Sequence, residues 1–227
     1  MAFAVMNLSS EMKSIVPISR TEDCSVDLVT VRTNYVTNPL TYFLKNLPPE
    51  IYSHCVRVSV IARILAKNAR SLPENMSQDA FTKTVWLGGL YHQLGSFADD
   101  ASTEQLPGLT EDILRENYNY ISSDLDADPD MVIDIACRCC EGADDTAIKG
   151  GKPPFAVALV GLADMLERLI SGKNVTKSKI EQAYTQIDAL GDALFGEDVM
   201  ECLETEQTKD EISELYLNYE KRKKSWT

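Results

Sequence analysis

The chain has 227 residues, of which 44% are hydrophobic, so it can bury the core of one globular domain together with a terminal extension. It carries 35 acidic and 22 basic side chains, for a formal net charge of -13. This charge disfavours binding to a nucleic acid polymer or to an anionic membrane, because both require a basic protein surface.

The opening residues and the cysteine content both bear on the cellular compartment of the protein. The opening MAFAVMNLSS has no basic segment ahead of an apolar run, and no stretch reaches the length of a membrane span. Six cysteines are too sparse for a disulfide framework in a chain of this length, so reduced thiols are expected. We therefore predict a cytoplasmic protein without a membrane anchor.

The N-terminal part of the chain is the least legible. The segment VDLVTVRTNYV fits a strand or an irregular arm, and nothing in the first forty residues carries a chemical motif. We treat residues 1–46 as an unassigned N-terminal extension, 47–205 as a helical domain and 206–227 as a C-terminal helix.

Helical signals begin near Leu47. Pro48 and Pro49 precede a segment in which positions 54, 58, 61 and 65 lie on one helical face. His54 shares this face with three apolar residues: Val58, Ile61 and Leu65.

A second helix is predicted over residues 80–91, which delivers His92 at its C-terminal end. Gly88 and Gly89 lie one turn earlier, where the lack of side chains permits close backbone approach. These two glycines suit the wall of a tight pocket.

Later helix starts and stops complete an all-α prediction. Threonine, aspartate and proline mark the predicted helix starts, and serine or glycine marks the predicted ends. Helix starts are predicted at Thr110, at Asp128 with Pro129, at Pro154 for an apolar helix ending near Ile170, at Thr176 for a helix ending near Gly191, and at Thr208 with Glu211. The sequence contains no glycine-rich phosphate loop, no GxSxG elbow and no solenoid repeat.

Several segments between residues 47 and 172 resemble, in order, those of the HD domain of metal-dependent phosphohydrolases, and most closely its HD-GYP branch. YSHCVRV resembles the first histidine helix of the family, with His54 and then Arg57. LYHQLG resembles its histidine-aspartate motif and keeps His92. LVGLADMLERLIS resembles the segment that carries the last ligand, Asp164. The resemblance implies an HD-like helical bundle and a history of cyclic dinucleotide hydrolysis at a centre of two or three metals.

The chain departs from the family pattern at several ligand positions. Gln93 stands where the family has the aspartate that bridges its metals, and Asn117 stands where a further histidine is expected. Cys139 and Cys140 occupy the place of paired histidines. Glu141 is kept, but no GYP follows it, and the phosphate-side lysine of the family is absent.

The remaining ligands imply at most one metal. The candidates are His54, His92, Gln93 and Asp164, which have roughly the ligand count for one divalent ion such as Mn, Fe or Zn. The other interpretation is that no cofactor binds. Asp164 lies within an apolar helix, where an uncompensated carboxylate is costly, so a histidine is an alternative partner for it. The substrate-binding candidates are Arg57, Asn117 and Glu141.

A cysteine cluster, CRCC, allows a different site. Cys137, Cys139 and Cys140 lack the spacing of a zinc knuckle, and buried thiols on a helix are the simpler interpretation. The alternative is zinc held by Cys139 and Cys140 with one of the two histidines.

Two functions remain open from the sequence. The first is a catalytically degenerate HD-GYP-like domain that serves as a signalling or binding module, with a nucleotide or a protein as its partner. The second is a single-metal phosphohydrolase that acts on a nucleotide, a cyclic dinucleotide or another phosphate ester. The oligomeric state is not predicted.

Overall fold

The structure is a computed structural model that describes residues 38–98, 102–122, 126–139, 153–172 and 174–225, with side chains described up to residue 217. All regular structure in these ranges is helical and no strand is present in them, so the all-α prediction is confirmed. The HD-like arrangement of the helices stays a prediction. Residues 1–37, part of the predicted N-terminal extension, lie outside the described residues.

The described ranges contain ten α-helices and one short 3₁₀ helix. In chain order they are α1 (Pro39–Lys45), α2 (Pro49–Lys67), α3 (Gln78–Tyr91), the 3₁₀ helix (Leu94–Phe97), α4 (Leu106–Glu116), α5 (Tyr118–Ser122), α6 (Pro129–Arg138), α7 (Phe155–Ile170), α8 (Lys177–Leu194), α9 (Glu197–Met200) and α10 (Glu206–Ser225).

Helix α2 lies at the centre of the packing and contacts α3 and α7 most extensively. Its predicted stripe is confirmed, because Val58, Ile61 and Leu65 are fully buried. Helix α3 follows its predicted course and ends at Tyr91, with His92 as its C-terminal cap. The two helices that carry the histidines therefore pack against each other.

Helix α7 is buried over most of its length, as expected from its apolar sequence. It packs on α2, α3, α6 and α8, and together these helices enclose the larger of two hydrophobic cores. The smaller core is formed by α1, α3, α4, α5 and α6, together with Cys55 of α2 and Leu94 of the 3₁₀ helix. Helices that precede residue 47 or follow residue 205 contribute to these cores through residues such as Leu40 and Ile212.

Two predicted helix starts are wrong. Thr110 lies inside α4, which begins four residues earlier with a proline in its first turn, and its buried hydroxyl accepts a hydrogen bond from Gly95 N. Thr208 lies inside α10, and Thr205 three residues before it supplies the oxygen that accepts from Thr208 N. In both cases the hydroxyl that resembles a helix cap in the sequence instead accepts a hydrogen bond from a residue outside its own helix, Gly95 for Thr110 and Asn68 for Thr208. No helix in the described ranges is both long and apolar enough to cross a bilayer.

Candidate metal centre

Helix α2 delivers the first histidine of the site. His54 follows the proline start of α2 by about one turn, on the side that faces α7. Its Nδ1 lies 2.6 Å from Oε2 of Glu167, a buried residue of α7. Its side chain is 13% exposed, so His54 forms the most open edge of an otherwise buried cluster.

The end of α3 delivers the second histidine. His92 is buried, and its Nδ1 lies 2.7 Å from the carbonyl oxygen of Gly89. A side chain at Gly89 would press on the backbone of Ser59, since its Cβ would lie 3.0 Å from Ser59 Cα. The absence of that side chain lets α3 approach α2, as the sequence predicts, and thereby brings the imidazole of His92 close to that of His54.

The apolar helix α7 supplies a carboxylate. Asp164 is 4% exposed, and its Oδ2 accepts a hydrogen bond of 2.9 Å from Nε of Arg168, one turn later. Its Oδ1 is buried and has no hydrogen-bond partner in the described part of the chain. A buried oxygen of this kind is costly unless something else satisfies it.

The three side chains converge on one point. Nε2 of His54 lies 2.9 Å from Oδ1 of Asp164 and 3.1 Å from Nε2 of His92, and Nε2 of His92 lies 3.7 Å from the same Oδ1. The 2.9 Å contact has the distance of an ion pair, and the two Nε2 atoms lie within hydrogen-bonding distance of each other. Among the described residues these three form the one group of histidine, cysteine or acidic side chains with metal-binding spacing.

The outer contacts of the two rings determine where their protons lie. A carboxylate and a carbonyl oxygen can only accept, so Nδ1 of His54 donates to Glu167 and Nδ1 of His92 donates to Gly89. In the neutral rings, both Nε2 atoms then carry lone pairs that face each other and Oδ1 of Asp164. Three acceptors this close repel one another unless a proton or a cation lies among them.

The pKa values of the cluster reflect this need for positive charge. Burial, the largest influence, lowers the pKa of His92, but contact with Asp164 and with the thiol of Cys55 raises it well above its usual value. Burial likewise opposes the raised pKa of His54, which Asp164 and Glu167 cause. Burial would raise the pKa of Asp164, but the two histidines and then Arg168 hold it far below its usual range.

The donor set fits a divalent metal. Two imidazole nitrogens and one carboxylate oxygen suit Zn, Fe or Mn. Ligand atoms at adjacent corners of an octahedron with bonds of ~2.1 Å lie about 3.0 Å apart. The separations of 2.9 and 3.1 Å are close to that value, and the third, between His92 Nε2 and Asp164 Oδ1, is longer at 3.7 Å. Both rings also donate their other N–H to an oxygen, the usual outer partner of a metal-ligating histidine.

Three other predicted site residues are not members of the three-residue group. Gln93 follows His92 and is half-buried, and its side chain makes no capping bond to the 3₁₀ helix after it. Asn117 ends α4, and its amide donates to the carbonyl of Ile113 at 2.8 Å. The contact of Asn117 is thus with its own helix. Arg57 contacts the edge of the cluster, because its Nε donates to Oε1 of Glu167 at 2.6 Å.

The described cysteines of the CRCC segment are not part of this donor set. Cys139 is buried at the end of α6, and Cys137 is half-buried with a pKa raised to about 12, chiefly by burial. A protonated thiol is a poor metal ligand. The metal-competent group in the described ranges contains no cysteine. Cys140 and Glu141, two further predicted site residues, lie outside the described residues.

Sequence reasoning missed Glu167, although a signal for it exists. It follows Asp164 by three residues on one apolar helix, a spacing that places two side chains on the same helical face. It is 2% exposed and its pKa is lowered, because contact with His54 and the charge of Arg57 outweigh the opposing effect of burial. Cys55, whose thiol lies against His92, was also missed.

Comparison with known proteins adds no relative. No family model, no curated protein and no solved structure matches the chain.

Proposed function

We propose that this chain is a signalling or binding module built on a degenerate HD-like domain, and that it holds one divalent cation between His54, His92 and Asp164. The observation that carries the proposal is the convergence of three potential ligand atoms, the Nε2 atoms of both histidines and Oδ1 of Asp164, which lie within 3.7 Å of one another in a buried cluster. Both imidazoles donate outward through Nδ1, so the two Nε2 atoms and Oδ1 of Asp164 can bind a cation in place of the protons that the raised pKa values of the histidines otherwise retain there.

Burial favours a module over an enzyme. The His92 side chain is fully buried and that of Asp164 is 5% exposed, so a bound ion would have little room for a substrate. Gln93 also offers only a neutral amide where the resembling family has a bridging carboxylate. A two-metal hydrolase needs such a bridge to hold its ions about 3.5 to 4 Å apart. The partner of the module would be a nucleotide or a protein.

The test is elemental analysis by inductively coupled plasma mass spectrometry. The protein is purified without chelator or affinity metal and measured before and after incubation with Mn, Fe or Zn. About one equivalent is expected in the wild type and little in Asp164→Ala. The matched control is Asp134→Ala, since Asp134 pairs with Arg138 one turn later, as Asp164 pairs with Arg168, but is exposed. A folded wild type that binds none of these metals would refute the proposal.

A second candidate, a single-metal phosphohydrolase, is favoured by one observation. The open edge of the cluster at His54 adjoins Arg57, a third of whose side chain is exposed and whose charge suits a phosphate group. A bound cation would supply Lewis-acid polarisation of the phosphoryl group. This candidate requires metal-dependent hydrolysis of a phosphate ester that persists in Asp134→Ala and disappears in Asp164→Ala. If the metal-loaded wild type hydrolyses neither phosphate monoesters nor cyclic dinucleotides, the phosphohydrolase is ruled out and the signalling or binding module stands.

A further inference from the structure

We infer that Glu167 is a positioning residue of this centre: it orients the His54 ring toward the metal and, held in place by Arg57, sets how tightly the metal binds. The inference rests on the proposed metal function and extends it to two residues that are not ligands.

Contact geometry supports the role of Glu167. One carboxylate oxygen of this residue lies 2.6 Å from Nδ1 of His54, and the other accepts from Nε of Arg57 at 2.6 Å. Both oxygens are therefore engaged at short distance, and the side chain is 2% exposed. A carboxylate fixed at both oxygens has little freedom to turn, so it in turn fixes the plane of the His54 ring.

The two histidines are held differently. His92 donates to the neutral carbonyl of Gly89, whose position follows from the backbone of α3. His54 donates to an anionic side chain, which makes its Nε2 a stronger electron donor. His54 also lies at the more open edge of the cluster, where its ring has fewer neighbours to hold it. The ligand that packing orients least therefore has the carboxylate partner.

Arg57 and Glu167 are 110 positions apart in the sequence and lie on different helices. Their pair crosses from α2 to α7, the same two helices that supply His54 and Asp164. Arg57 thus ties the outer partner of one ligand to the helix that carries that ligand. This contact would account for an arginine whose Nε is directed inward while a third of its side chain stays exposed.

The experiment measures zinc affinity by competition with a chromophoric chelator. The variants are Glu167→Gln, Glu167→Asp, Glu167→Ala and Arg57→Met, each checked for folding by circular dichroism. Glu201→Gln is the matched control, because Glu201 accepts from Arg70 at 2.9 Å but lies outside the cluster. Loss of an outer partner of a metal-bound histidine typically weakens affinity ~10- to 100-fold. We expect that loss in Glu167→Gln and Glu167→Ala, partial recovery in Glu167→Asp, a smaller loss in Arg57→Met, and none in Glu201→Gln.

A second readout separates orientation from general damage. The chain has two histidines, so ¹⁵N-histidine labelling gives just two imidazole spin systems. In the zinc-loaded wild type the Nδ1 proton of His54 should be far downfield and slow to exchange. In Glu167→Ala this signal alone should move and exchange faster, while that of His92 stays in place.

The outcomes distinguish this inference from the proposed function. If the wild type binds zinc and every folded Glu167 variant binds it within twofold of the wild type, the positioning role is overturned and the metal function stands. Equal movement of both imidazole signals would also overturn it, because the effect would then be general. A wild type that binds no zinc would overturn the metal function and, with it, this inference.

Discussion

The carboxylate of Asp164 links the stability of the metal-free protein to pH. Its pKa is lowered, so it stabilises the fold above its ordinary pKa of 3.8, and this contribution is lost as the pH falls. The pKa values of His54 and His92 are raised, so their contribution is complete below 6.5 and is lost as the pH rises through the raised values. The cluster therefore stabilises the metal-free fold most between these two limits.

Replacing this carboxylate should remove most of that dependence. In chelator-treated protein we expect Asp164→Asn to lower the free energy of unfolding by about 3 kcal/mol near pH 5.5, because two buried imidazoles and Arg168 lose their common partner. The loss should shrink near pH 9. Urea denaturation at both pH values tests this, with Asp134→Asn as the exposed control. If the free energy of unfolding changed between pH 5.5 and pH 9 by the same amount in Asp164→Asn as in the wild type, the proposed coupling between Asp164 and the histidines would be contradicted.

Tyr216 is a buried polar residue whose substitution should stabilise the protein, in contrast to that of Asp164. Its hydroxyl is buried without a hydrogen-bond partner in the described ranges, and burial, followed by the nearby charge of Glu167, raises its pKa. Removing an unsatisfied hydroxyl relieves a desolvation cost, so Tyr216→Phe should stabilise the protein by ~1 kcal/mol.

A matched tyrosine provides the comparison. The hydroxyl of Tyr184 donates to the carbonyl of Lys209 at 2.9 Å, so Tyr184→Phe should cost about 1 kcal/mol. Urea unfolding of the two variants should therefore give shifts of opposite sign. Destabilisation of equal size in both would mean that the hydroxyl of Tyr216 is satisfied by a group that the described contacts do not include.

Helix α3 depends on glycine at its contact with α2. A Cβ at Gly89 would meet backbone atoms of Ser59, which cannot rotate away, whereas a Cβ at Gly108 in α4 would meet nothing within 4 Å. Gly89→Ala should therefore destabilise by ~2 kcal/mol through overpacking. Gly108→Ala should stabilise by up to ~1 kcal/mol through helix propensity. Thermal unfolding of the pair tests the close approach, and stabilisation by both substitutions would refute it.

Helices were easier to predict from the sequence than their first residues. The apolar spacing of α2 and the polarity break after α7 are local signals, and both helices lie where they were expected. The starts at Thr110 and Thr208 were wrong because a hydroxyl near a helix end has several available partners. Which of these partners it bonds depends on the tertiary packing.

For the site residues, too, those with a signal in the sequence could be predicted, whereas those defined by tertiary contacts could not. His54, His92 and Asp164 could be proposed together because their segments resemble, in order, the ligand segments of the HD family, and because a carboxylate in an apolar helix needs a partner. The structure brings the three side chains together. Glu167 did not stand out, since its relation to His54 exists only once α2 and α7 are packed. The role of Arg57 likewise follows from a contact across the fold, which no spacing in the sequence reveals.

At the scale of the whole molecule, the departures from the resembling family are spread over several helices. Gln93 follows α3, Asn117 caps α4, and Cys139 is buried at the end of α6. Asn117 donates to its own helix, and Cys139 belongs to the larger hydrophobic core. Placing ligands at all the positions where the resembling family has them would therefore require changes in several helices, and one substitution should raise metal affinity without producing hydrolysis.

Gln93→Asp makes this expectation testable. A carboxylate next to His92 adds a negative charge where the neutral amide stands, and we expect zinc or manganese to bind about tenfold more tightly as a result, since affinity rises with ligand charge. Hydrolysis of a cyclic dinucleotide should stay undetectable, because the described residues contain a single group with metal-binding spacing and a two-metal reaction needs a second. Competition titration measures the affinity, and chromatography of the linear product measures turnover. Metal-dependent turnover in this single variant would show that the fold still holds a complete hydrolytic centre, and the module would have to be abandoned in favour of an enzyme.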